Sequence, residues 1–268
     1  MKKLSFLFLL VLTIALFQSC EKEPIEDPVA PVAAPELPPA ESFIMPFDGY
    51  EDADTMRGPF HNWFHAAANI VVWNTALTVT LAVPVTSFYA SFGNDPEYQG
   101  DLTWLWAYSF DALGNTYQAE LYGKILPTQE VEWEMYISQV GGFTDVLWYS
   151  GITANDRSYA HWTLNRNGNN PTPFIEADYQ RDNGGGIESI RYTNITPNAP
   201  ENGGYIEYRE NDGATPYDRA YDVYKAEIDN LLNIEWNSIN KDGRVKDPER
   251  FQDEEWHCWG SNLMDIDC

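Results

Sequence analysis

After Gly100, apolar residues recur at every second position, and this alternation constrains the fold more than any other feature of the 268-residue chain. Leu102, Trp104, Trp106, Tyr108 and Phe110 alternate with Thr103, Leu105, Ala107 and Ser109. A turn over Asp111–Asn115 follows, after which Tyr117, Ala119, Leu121 and Ile125 share one face. Val131, Trp133, Met135 and Ile137 then alternate with Glu130, Glu132, Glu134 and Tyr136. Period two, bounded by turn residues, is the pattern of antiparallel strands buried on one face. Further strands are expected over 143–150, 157–164, 173–180, 186–194, 203–210, 218–225 and 230–237. The turn sequences RNGNNP (166–171), DNGGG (182–186), ENGG (201–204) and NDG (211–213) separate several of them. About ten strands with no helices between them form an antiparallel up-and-down meander. Large sheets of this kind curl or close, because open edges invite pairing with other chains. The expected fold class is therefore mainly β, a curved or incomplete barrel.

One segment breaks the pattern. From His61 to Asn94 there is no Asp, Glu, Lys or Arg. Trp63, Ala67, Ile70, Trp73, Leu77, Leu81, Phe88 and Phe92 sit near helical spacing, while Leu77, Val79, Leu81, Val83 and Val85 alternate as a strand would. Gly58-Pro59 offers a helix start and Gly93 a stop, and Pro84 marks a kink or a break. The expectation is a long kinked N-terminal helix over 60–92, buried against the sheet that wraps it. Asn62, His65, Asn69 and Asn74 dilute its apolar character, and no basic residue flanks its C-terminal end closely, which argues against a membrane span. In outline this architecture is similar to the lipoprotein-carrier fold and related envelope lipoproteins, in which a curved sheet and helices enclose an apolar cavity. The likeness is architectural and carries over no site residue.

The first twenty residues are of another kind. Lys2 and Lys3 precede an apolar run from Leu4 to Phe17, the length of a signal-peptide core and short of the roughly 20 apolar residues of a spanning helix. Ser19 supplies a small residue before Cys20. The stretch resembles bacterial lipoprotein signals, in which the cysteine is lipidated and becomes the new N-terminus. Phe17 and Gln18 depart from the usual aliphatic-small pattern. Glu21, Lys22 and Glu23 resemble the acidic surface-export signal of Bacteroidota-type lipoproteins. The resemblance implies a signal peptide over 1–19, lipid attachment at Cys20, and an outer-membrane or surface location. An acyl-chain anchor contributes roughly 0.8 kcal/mol per buried methylene, so no spanning helix is needed.

Residues 21–42 contain six prolines, five glutamates and one aspartate, and no aromatic. They are expected to form a semi-extended tether with Cys20, leaving 43–268 as a single β-rich domain. The net charge is −25. Cleavage before Cys20 removes two lysines and no acid, taking it to −27. Such a surface repels nucleic acid and anionic headgroups, so no nucleic-acid partner is expected, and the membrane is reached through the anchor.

Candidate chemistry is sparse. Cys258 and Cys268 are an even pair in an oxidising compartment and are read as a disulfide. Asp48, Asp52 and Asp54, with Glu51, form an acidic loop whose oxygens are capable of holding Ca²⁺, although the EF-hand glycine and distal glutamate are absent. No other cofactor is expected. His61 and His65, four apart, and the set His257, Cys258 and Asp267 have metal-ligand chemistry without a complete ligand set. Glu130, Glu132 and Glu134 fit the solvent face of a strand, and a carboxylate-based glycan hydrolase stays as the alternative. Ten tryptophans and sixteen tyrosines offer faces for sugars or apolar ligands, or simply fill a core. The reading is a lipid-anchored, non-enzymatic protein that binds an apolar ligand, a glycan or a protein partner. A structural subunit of an envelope complex is a further alternative.

Overall fold

The computed structural model describes residues 32–47, 61–182, 184–211 and 215–268. It is mainly β: a single antiparallel sheet of fourteen strands in which each strand pairs with its neighbours in sequence, from β1 (Glu97–Gly100) to β14 (Asp265–Ile266). The sheet is not closed, since β1 and β14 each pair with one neighbour. The long strands follow the alternation. β2 (Thr103–Ala112) buries Trp104, Trp106 and Phe110, and β4 (Glu130–Gln139) buries Val131, Trp133, Met135 and Ile137. The β2–β3 hairpin turns on Leu113 and Gly114, both at positive φ, with Ala112 opposite Asn115. That is the two-residue loop whose twist matches the flanking strands.

The sheet has fourteen strands where about ten are expected. The additional ones are β1, β12 (Gly243–Lys246), β13 (His257–Trp259) and β14, each two to four residues long. Runs that short contain too few alternations to stand out from loop sequence. The strand expected over 143–150 begins later, as β5 (Val146–Ala154), because Gly141–Asp145 are spent on the connection.

Large indoles are accommodated by glycines on facing strands. Gly123 lies opposite Trp133, and a Cβ at Gly123 would stand 2.6 Å from that ring. Gly151 lies opposite Trp162, where a Cβ would come within 2.3 Å of the ring and 2.4 Å of the His161 carbonyl oxygen. Eight of the ten tryptophans are buried, so the aromatic load is chiefly core packing. The opposite face carries cross-strand ion pairs such as Arg191–Glu207 (2.6 Å), Arg209–Asp222 (2.5 Å) and Arg244–Glu235 (2.6 Å).

The expected single helix over 60–92 is two helices, α1 (His61–Thr80) and α2 (Ala82–Ser91), bent by 65°. The break falls at Leu81, which has φ −94° and ψ 3°. Pro84 is its cause: it has no N–H for the Thr80 carbonyl, and its ring excludes that carbonyl from a straight helix. Proline is tolerated in the first turn of the new helix. α1 packs on β12, β13 and β14, whereas α2 packs on β2. Among the described residues no single helix is long and apolar enough to cross a membrane, and only the bent pair taken together has that length and composition.

The end of the proline-rich stretch lies against the body, with Pro35 and Pro38 buried and Glu36 paired to Arg157 at 3.0 Å. A 3-10 turn over Ala40–Phe43 leads into an extended strap, Ile44–Phe47. Phe43 enters the core against Phe88, Tyr149 and Trp162, with ring centroids 4.9, 4.8 and 5.1 Å away.

Candidate functional site

The helix pair and the strap build the site. α1 is fastened at its start. The Asn62 backbone N–H, one of the unpaired donors of a helix N-terminus, donates to Asp265 (2.9 Å), and the Asn62 side-chain amide donates to the Cys258 carbonyl (2.9 Å). One turn on, His65 Nε2 meets Asp247 Oδ2 at 2.7 Å. Asp247 is fully buried, and also accepts from the Asn230 amide (2.8 Å) and from the backbone N–H groups of Glu249 and Arg250. Burial pushes its carboxyl up, but the hydrogen bonds of Asn230, His65 and the Arg250 N–H, with the Lys225 ammonium, outweigh that. They hold it below the usual carboxylate range.

The second half of α1 is different. Of residues 71–80 only Leu77 is buried, while Val72 and Val79 are 67% and 71% exposed. A cavity lies on each flank. The first, of about 310 Å³, lies between the helix bend and the strap. Phe43, Ile44, Met45 and Phe47 form one wall, and Leu77, Leu81 and Val85 the other. Tyr192 holds the strap in place: its hydroxyl donates to the Phe43 carbonyl (2.8 Å) and accepts from the Met45 N–H (3.2 Å). Tyr221 donates to the Pro46 carbonyl. Among the described residues none that lines this cavity is charged. Its polar edge is already engaged, with Thr78 donating to Asn74 (3.0 Å) and Thr86 to the Ala82 carbonyl (2.7 Å).

The second cavity, of about 420 Å³, lies on the other flank of α1. Val72, Trp73, Ala76 and Leu77 face Phe174 and Ile175 of β7 (Pro173–Arg181). Its polar members are Asn194, Tyr224, Lys225, Glu201 and Glu227, the last two exposed. Both volumes lie within or near the range of small-molecule sites, and both linings have the apolar majority such sites share.

The residues expected to carry chemistry are dispersed. Cys20, Asp48, Asp52 and Asp54, with Glu51, lie outside the described residues. Cys258 and Cys268 are bonded, with Cα atoms 5.3 Å apart, and fasten the last residue to β13. His61 is exposed, His65 is taken by Asp247, and His257 pairs with Asp253 (3.1 Å) and stacks on Phe251. Among the described residues no group of three or more His, Cys, Asp or Glu side chains is placed to hold a metal ion. Glu130 and Asp156 share a polar hollow with Tyr159, but both carboxyls are held below their usual range, Glu130 by Thr128 and Tyr159 and Asp156 by Ser158. A general acid for glycoside hydrolysis needs the opposite shift. Trp256, one of the two tryptophans outside the core, is covered by Arg244 at 4.2 Å, and the other, Trp73, lines the second cavity. The strap and the cavity walls were not singled out as a site by sequence. Their one signal is the apolar FIMPF run (43–47) directly after the proline-rich stretch. Comparison with protein-family models, curated proteins and solved structures finds no match to this chain.

Proposed function

We propose that this is a lipid-anchored envelope protein, attached through Cys20, whose body binds an apolar ligand beside α1 without catalysing a reaction. The observation that carries the reading is the pair of apolar-walled cavities flanking an uncharged helix. A core-forming helix without charge is normally covered on most sides. Here residues 71–80 border space large enough for a ligand. The sheet is best described as curled and incompletely closed. α1 meets its last strands and α2 its second, whereas fourteen strands spaced about 4.8 Å apart would spread over roughly 60 Å if flat. A curled sheet would hold the strap, α2 and the first half of α1 on its concave face, with an apolar ligand lodged beside Leu77 between helix and strap. The anchor, the proline-rich stretch and the acidic body fit an exported protein held at a membrane, where apolar ligands concentrate.

The test is displacement of an environment-sensitive fluorescent fatty acid from the purified full-length protein. Binding that is lost when Val85→Trp fills the first cavity, or Ala76→Trp the second, supports the reading. Absence of binding to any apolar probe overturns it. For the anchor, metabolic labelling with palmitate in the native host is expected to mark the protein, and Cys20→Ala to abolish both the label and membrane fractionation.

A further inference from the structure

We infer that the two cavities are lobes of one site, divided by Leu77, which takes a single long-chain amphiphile with a zwitterionic head. The inference rests on the apolar-ligand reading and deepens it. Among the described residues Leu77 alone lines both cavities, and it is 4% exposed. Its neighbours on α1 separate by flank: Asn74 and Thr78 face the first lobe, Trp73 and Ala76 the second. The lobes therefore meet beneath the helix at one side chain. The chain around that point can yield, because the polar ties of α1 to the sheet, through Asn62 and His65, lie in its first two turns. Leucine changes rotamer without moving backbone, so a displaced Leu77 would join the lobes.

The chemistry of the two lobes sets the direction of the ligand. Among the described residues the first contains no charged one, which suits the end of a hydrocarbon chain. Among the described residues, those of the site with a formal charge all lie in the second: Lys225, Glu201 and Glu227. Lys225 is half-buried and its ammonium stands 3.9 Å from Asp247 Oδ2, too long for a close ion pair, so it retains capacity for an anionic group. Glu201 and Glu227 are exposed and complement a cationic group further out. A head with an inner negative and an outer positive charge satisfies this set, and a purely anionic head faces two carboxylates of its own sign.

The experiment titrates the full-length protein with n-alkyl phosphocholines of increasing chain length, below their micelle-forming concentrations, beside n-alkyl sulfates of equal length. Each further methylene buried is expected to tighten binding roughly fourfold. In the wild type the gain continues past the length that fills the second lobe. Leu77→Trp is expected to stop it several carbons earlier. Val85→Trp, which fills the first lobe from α2, must truncate the series in the same way, and serves if Leu77→Trp does not fold. Sulfates are expected to bind at least tenfold more weakly than phosphocholines of equal length. Phosphocholine binding whose chain-length limit is the same in wild type and both variants overturns the joined-lobe inference while leaving the apolar-ligand reading intact. Equal affinity for sulfates overturns the head assignment. No binding by either series overturns the apolar-ligand reading itself.

Discussion

Residues 61–70 and 71–80 belong to one helix and contain no Asp, Glu, Lys or Arg, yet they meet the rest of the molecule in opposite ways. The first half buries Asn62, Trp63, Ala66, Ala67 and Ile70 on β12–β14 and is tied down by Asn62 and His65. The second half buries only Leu77 and borders the two cavities. Composition cannot distinguish these halves, because alanine and valine serve equally against a sheet or over a hollow. What separates them is whether strands reach the helix from below. The short edge strands do so for the first half, and the spacing left between helix and strap denies it to the second.

The largest effect in this comparison should come from the tie at Asp247. Asp247→Ala leaves the buried Asn230 amide and the Arg250 N–H without their acceptor, the Glu249 N–H with only the Asn230 side-chain oxygen, and His65 without its partner. Removing one side of such a buried network costs about 3–5 kcal/mol. Urea titration at neutral pH is expected to show that loss, and a change below about 1 kcal/mol would mean α1 is not fastened there. The same group predicts a pH dependence. Its folded-state carboxyl lies below the usual range, so its contribution is present above the unfolded value near about 4 and is lost as pH falls through the folded one. The stability gap between wild type and Asp247→Asn should therefore be constant near neutrality and narrow below about pH 4.

Packing gives the next effect. Ile70→Ala removes a fully buried side chain from the fastened half and is expected to cost about 3 kcal/mol. Asn62→Ala removes one backbone contact to Cys258 and should cost about 1–2 kcal/mol, since the Asn62 N–H to Asp265 survives the substitution. Both values come from the same denaturant series, so their order relative to Asp247→Ala ranks the supports of the first half directly.

These contrasts also explain what was legible before the structure. The ten long strands could be read, because alternation over six or more residues commits a strand to one buried face. Pro84 marked the position of the bend, though not that it divides two helices 65° apart. β12–β14 were not legible: GRVK, HCW and DI are too short for a period. Without them nothing indicated which half of α1 would be covered. The tryptophans are open to an outward ligand platform as much as to the core; eight are in the core, and at Trp133 and Trp162 the facing Gly123 and Gly151 make room for the indole. An apolar cavity was legible only as what the architectural likeness implies, and its walls were not. The cavities arise from separation between α1, the strap and β7, which no single segment encodes.

The smallest expected effect is the most exacting check on the comparison. Val72→Ser and Val79→Ser replace two exposed valines in the second half of α1. Valine and serine have similar helix propensities, and neither side chain is inside the core. Each change is expected to alter stability by no more than about 0.5 kcal/mol, measured alongside Ile70→Ala. One buried and two exposed β-branched positions on one uncharged helix would then differ in cost by severalfold. A loss above about 1 kcal/mol at Val79 would instead mean that this face is packed in solution, and the distinction between the two halves would fail. If the cost stays small, the exposed valines stabilise neither helix nor core, and the second half of α1 is held chiefly by Leu77, the side chain on which the division of the two cavities depends.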